Sequence, residues 1–168
     1  MTKFIITDTL IGGQDIASTE TTAQHPLGTI VRARHLTTLG GGEFIYLLGV
    51  ASTEVGSLVT YNATTYQTTL SPTNGTTDGP PVAVAMSANV ASQYGWYQIQ
   101  GLAVIKKTAV AVTPQSGIWL SGTAGRVYVT ASTGKGIVGA RSANLATVAS
   151  GTSTVTVLIN RPSIETAT

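Results

Sequence analysis

From Gly95 to Gln100, Trp96, Gln98 and Gln100 alternate with Tyr97 and Ile99. A period of two is that of a β-strand, whose successive side chains point to opposite faces. The same period recurs along most of the chain. Thr29, Val31 and Ala33 alternate with Ile30, Arg32 and Arg34, which gives a strand with one basic-leaning face. Phe44, Tyr46 and Leu48 alternate with Glu43, Ile45 and Leu47. Residues 57–61 and 136–141 predict further strands. Ile118 and Leu120 oppose Trp119, and Val127 and Val129 oppose Arg126, Tyr128 and Thr130. Val155, Val157 and Ile159 oppose Thr154, Thr156 and Leu158. Residues 102–112 are long for one strand, so Lys106-Lys107 predicts a bulge or a bend. Arg161-Pro162 is expected to end the last strand, because proline has no N–H for the ladder.

Turn residues punctuate these runs: His25-Pro26-Leu27-Gly28, Gly40-Gly41-Gly42, Gly56 and the tight-turn pair Asn74-Gly75. Residues 66–70 and 82–86 read as the two arms of a broad loop. No helical period stands out; residues 88–94 and 143–148 offer a turn or two at most. The expected fold is all-β. It is a compact barrel or sandwich, or a clip- or tulip-like domain, built of short strands and glycine turns.

One phrase occurs twice. Ala85-Met86-Ser87-Ala88-Asn89 and Ala140-Arg141-Ser142-Ala143-Asn144 each end an apolar run of small residues. The order of strand, crossing strand and small-residue strand is also shared by residues 42–90 and 95–145. This predicts two echoing β units closed by the strand over 154–159. Residues 1–24 read as an extended N-terminal arm, polar and aperiodic apart from Phe4-Ile5-Ile6 and Leu10-Ile11. Residues 25–161 form the domain, and 162–168 a loose tail.

Composition narrows the function. Of 168 residues, 42% are hydrophobic and only 10% charged, so the surface must be covered largely by Thr, Ser, Gln, Asn and Gly. Such a surface suits a subunit that stays packed against others. With no cysteine there can be no disulfide and no thiolate metal site. The net charge of +2 comes from scattered cations, which argues against nucleic acid as a partner. No run approaches the roughly 20 apolar residues of a membrane-spanning helix, and the start does not read as a secretion signal. Synthesis and folding in a cytoplasm is the expectation.

Candidate chemistry is sparse. His25 and His35 have no acidic neighbour, and His35 reads as a surface or loop residue. The seven carboxylates, Asp8 to Glu165, show no spacing that recommends an acid–base pair. The glycine clusters lack the context of a phosphate loop. The sequence therefore predicts no catalytic residue, no cofactor and no metal. Trp96, Trp119 and Tyr128 fall opposite the apparent core positions. With Phe4, Ile5 and Ile6 they are the candidate interface residues. They could cover their own domain, contact another subunit, or form a platform for carbohydrate.

Several pieces in order resemble the head decoration, or capsid cement, proteins of tailed bacteriophages. They are His25-Pro26-Leu27-Gly28-Thr29-Ile30-Val31-Arg32-Ala33, Gly42-Glu43-Phe44-Ile45-Tyr46-Leu47 with Gly49-Val50-Ala51-Ser52, the run from Val82 to Asn89, and Gly95-Trp96-Tyr97-Gln98-Ile99. The resemblance implies a small β protein added to the outer capsid surface of the virion. It implies the major capsid protein and other copies of itself as partners, a trimer foremost, and no catalytic residues. The rival expectation is a receptor- or glycan-binding fibre or spike module.

Overall fold

The structure, a computed structural model, describes residues 4–7 and 13–166. Among them there is no helix, and the fold is all-β with antiparallel ladders. The strands are β1 (Phe4–Ile6), β2 (Thr19–Glu20), β3 (Ile30–His35), β4 (Gly41–Leu48), β5 (Leu58–Tyr61), β6 (Thr68–Leu70), β7 (Val82–Ala85), β8 (Tyr94–Lys106), β9 (Gly117–Leu120), β10 (Val127–Tyr128), β11 (Gly136–Ser142) and β12 (Thr154–Ile164). The main ladder runs β1-β3-β4-β8-β12-β11-β9-β10, with β2 and β7 also on β8 and with β5 and β6 joined through β7. It is not closed into a barrel. Single backbone hydrogen bonds, such as Leu58 N–H to Gly125 O at 2.9 Å, draw β5 toward the β9–β10 turn.

β8 is one strand of 13 residues where the sequence suggests two. The bulge lies earlier than Lys106-Lys107. Glu43 faces Gln100, but Phe44 faces Gln98, so β8 carries one extra residue there. Gly101 follows with φ of +101°, and a Cβ at this position would lie 2.5 Å from Gly41 O. The buried Gln98 side chain braces the bulge: its Nε2 donates to Gln100 O (3.0 Å) and Leu102 O (3.1 Å).

Three apolar clusters form around this strand. Trp96 packs with Phe4, Ile16, Phe44 and Tyr46. Tyr97 and Ile99 pack with Ile45, Leu47 and Val59. Ala103 and Ile105 join Leu58, Val84, Val127 and Val157. The two arms of the broad loop, residues 66–70 and 82–86, hold β6 and β7, and both pair with β5.

The pairing map of β4–β7 recurs in β8–β11. β5 pairs with β6 and β7, as β9 pairs with β10 and β11. β7 then pairs with the next long strand, β8, and β11 with β12. β4 pairs with β8, and β8 with β12. Even the isolated parallel bridges match: Leu48 with Gln67 in one set, Lys107 with Val127 in the other.

Both chain ends depart from expectation. In the stretch expected to be an arm, β1 pairs with β3 and β2 with β8. Ile16 is 1% exposed, and the buried Gln14 accepts from Tyr46 Oη at 2.6 Å and receives Trp96 Nε1–H on its carbonyl at 3.0 Å. Polar residues read as an arm because the groups that cover Gln14, Tyr46 and Trp96 among them, lie 32 and 82 residues away. Leu10 and Ile11 lie outside the described residues. At the other end, Arg161-Pro162 does not stop β12. Arg161 takes φ of 44°, and the register between β12 and β11 shifts around Gly139, itself at φ 76°. Proline is tolerated at such a bulge, and the strand resumes to bury Ile164. Of the expected tail, only Ala167 and Thr168 lie outside the described residues.

Three measurements check this account. Ile16→Ala lowers the unfolding free energy by about 2–5 kcal/mol, the usual cost of such a core truncation, in urea titration. Deleting residues 1–24 lowers the melting temperature, where a free arm would leave it unchanged. Gly101→Ala costs about 1–3 kcal/mol, because alanine must hold the left-handed φ against Gly41 O.

Candidate interaction surfaces

The six residues singled out from the sequence divide between the core and the two ends of the ladder. Phe4 is buried, edge-on to Phe44 and His35 with ring centroids 4.9 Å from each. Ile6 is half-buried against the same cluster. Ile5 points outward from β1, 48% exposed, opposite Arg34. The alternation aims Trp96 outward, but the structure buries it: it is 0% exposed, with Tyr46 and His25 rings against it. The alternation misleads because this half of β8 is buried on both faces.

Trp119 and Tyr128 are half-buried and directly opposite in the β9–β10 pair. The Trp119 ring lies over Gly117, where a Cβ would stand 2.4 Å from it. Gly136 is its partner on β11, and the exposed Val138 follows. β1 and β10 are the two ends of the main ladder. Ile5 and the Trp119–Tyr128 pair thus sit at opposite ends of the strand order.

Between those ends lies an open cleft of about 590 Å³, lined by Arg32, Arg34, Glu43, Gln100, Leu158 and Asn160 among others. Glu43 Oε1 is 3.5 Å from Arg32 Nε, and Oε2 accepts from Arg161 Nη2 at 2.7 Å. Its carboxylate, mostly covered, links β3 to the β12 bulge. The sequence hints at this cleft only through the basic-leaning face of residues 29–34. Its other members come from strands far apart in the chain.

Two polar side chains are more deeply placed than their sequence suggests. His35 is buried at the end of β3, not on the surface. Its Nδ1 accepts from the backbone N–H groups of Thr37, Thr38 and Leu39 at 3.0–3.3 Å. Lys107 is 1% exposed, and its Nζ donates to Val110 O, Ala149 O and Ser150 O at 2.8, 3.1 and 3.2 Å. It pins two loops to the end of β8. Lys106, by contrast, pairs with Glu54 nearer the surface. Among the described residues no three His, Asp or Glu side chains come together as a metal site would need.

Burial raises the phenols of Tyr46, Tyr61 and Tyr97 above their ordinary 10.0. The folded chain holds those protons more tightly than the unfolded one. Their contribution to stability is complete below pH 10.0 and is lost as pH rises from there through the folded-state values. Burial lowers the Lys107 ammonium from 10.5, so its effect has the opposite sign: stability rises with pH between its folded value and 10.5. Above pH 10.5 the lysine contribution no longer changes, so the phenols alone predict a fall in unfolding free energy there, read by urea titration. Tyr97→Phe makes that fall shallower. Trp96→Ala costs about 3–5 kcal/mol as a core truncation. Trp119→Ala costs well under half of that, since its ring remains partly in solvent.

No protein-family model matches the chain, and comparison with curated proteins finds no match.

Proposed function

We propose that the protein is a structural virion component that binds the outer surface of a tailed-phage capsid and stabilises the shell by bridging neighbouring capsomers. The observation that carries this reading is the placing of outward apolar and aromatic side chains at both ends of one continuous ladder, Ile5 on β1 and Trp119 with Tyr128 at β9–β10. A bridging body needs two separated contact regions joined by a stiff span. A hydrogen-bonded ladder is such a span. The resemblance of residues 25–145 to decoration proteins points the same way, as does a surface with few charges.

The energetics of cementing are modest for each copy. A protein that binds the assembled shell but not its separated parts stabilises the shell by mass action. Many copies, each touching two capsomers, multiply a weak contact through effective concentration. Contacts between copies, in trimers, would add to this at each junction. The aromatic pair Trp119–Tyr128 supports the second reading, a receptor- or glycan-binding module, because neighbouring half-exposed rings can stack on sugar faces.

Mixing the purified protein with expanded capsids that lack it, followed by imaging, tests the proposal. Stoichiometric density at capsomer junctions and a higher shell-disruption temperature are expected. Density confined to a vertex or tail, or glycan-array binding abolished by Trp119→Ala, favours the second reading instead.

A further inference from the structure

The open cleft between the two ends of the ladder takes no part in the reading above. Its make-up follows from the register, because residues directly opposite in neighbouring strands share a face of the sheet. Ile5, Arg34 and Gly41 form one row across β1, β3 and β4. Arg32, Glu43, Gln100 and Asn160 form the next, across β3, β4, β8 and β12. Leu102, Leu158 and Arg141 form a third, across β8, β12 and β11. Two residues of strand, roughly 7 Å, separate one row from the next.

Among the described residues this face gathers Arg32, Arg34, Arg141 and Arg161, all exposed, around the single carboxylate of Glu43. The whole chain has nine lysines and arginines against seven carboxylates, so the imbalance is local. Glu43 is already shared by Arg32 and Arg161. Arg34 takes part in none of the ion pairs of the described residues.

The floor of the cleft is glycine, at positions 41, 42 and 101. Packing calls for two of the three. A Cβ at Gly42 would stand 2.6 Å from Gln100 O, and one at Gly101 2.5 Å from Gly41 O. A Cβ at Gly41 would meet only Ala33 O, at 3.9 Å, and the left-handed residue of the preceding turn is Gly40. Glycine in a strand costs backbone entropy. Where neither crowding nor φ explains it, it marks a place another backbone approaches closely. Gly41 lies opposite Arg34, so the space it leaves is beside a guanidinium.

The lining also selects a chemistry. A guanidinium fork matches a carboxylate at two points. The side-chain amides of Gln100 and Asn160 both donate and accept, as peptide groups do. Leu158, 53% exposed, adds an apolar border. No lining residue is aromatic, so a sugar or a base finds no ring to stack on. The Glu43 carboxylate repels a run of phosphates.

We propose that this cleft binds an extended acidic segment of a partner protein: a carboxylate of the segment pairs with Arg34, its backbone passes over Gly41, and Gln100 and Asn160 hydrogen-bond its peptide groups. The inference goes beyond the cement reading, which uses the ends of the ladder. Exposed ion pairs are individually weak, so binding depends on the arginine, the amides and the bare floor acting together.

The test titrates the isotope-labelled full chain with a short capped oligoglutamate peptide while its amide resonances are followed. Saturable shifts confined to β3, the start of β4 and residues 100–102 and 158–160 are expected, and added salt weakens them. Arg34→Gln is expected to weaken binding about threefold or more. Gly41→Val fills the floor and is expected to abolish the shifts with the melting temperature equal or higher. Should Gly41→Val lower the melting temperature, Arg34→Gln decides alone. The inference is overturned by wild-type protein without shifts at the cleft, or by unchanged binding in Arg34→Gln. It is also overturned by an equal response to oligoglutamine, or by an equal response to inorganic phosphate or a DNA oligonucleotide, which makes the cleft a general anion site. None of these outcomes bears on the cement reading, since no capsid is present.

Discussion

The structure depends on one strand being continuous through a defect. β8 touches all three apolar clusters, and it can do so only because an extra residue near Ile99 re-aims its side chains midway. A bulge in a buried strand leaves carbonyls without ladder partners, which is costly away from water. Gln98 offsets that cost by donating its one amide to two carbonyls beside the bulge, those of Gln100 and Leu102. Gly101 removes the other, because the backbone there takes a φ that side chains disfavour and passes too close to Gly41 for a Cβ. A glutamine and a glycine thus let β4, β7 and β12 share one partner.

The strands that sequence reading locates well are those with one buried and one wet face. In β3 the buried positions Val31, Ala33 and His35 alternate cleanly with exposed ones, and in β12 Val155, Val157 and Ile159 alternate with half-buried and exposed ones. Reading fails where polar side chains are buried by virtue of partners distant in sequence. Gln98 reads as outward, Gln14 as part of a polar arm, His35 as surface or loop and Lys107 as part of a bend, yet each is buried and satisfied by backbone groups or by another buried side chain. Trp96 reads as exposed for the same reason, by the company of Gln98 in the alternation. Of the candidate surface, the outward side of Trp119 and Tyr128 is legible from alternation, whereas Ile5 stands in the sequence only as one of the apolar run Phe4-Ile5-Ile6. The cleft clamped by Glu43 is not, because Arg32 and Arg161 converge on it from β3 and β12.

The Ser-Ala-Asn phrase shows how a weak repeat can carry information. Its serines are buried alike, but its asparagines bond to different partners, a tyrosine hydroxyl in one unit and backbone carbonyls in the other. What persists is the position of the loop in the pairing map and the exposed aliphatic residue that ends it. The second unit has an anchor of its own, the Lys107 amine.

That pairing map also bears on how the chain reaches its fold. β4 finds its long partner only when β8 has been made, and β8 is completed only by β12, nearly at the C-terminus. Ladders between such distant segments form slowly, because loop-closure entropy is lost before the contacts compensate for it. The growing chain therefore leaves one edge of β8 open until its last strand emerges, and an open edge is the feature that invites pairing with the wrong chain. Docking of β12 is the step that ends this exposure. Until then the unpaired edge is a place where two incomplete chains can join, the usual route by which partly folded β proteins aggregate.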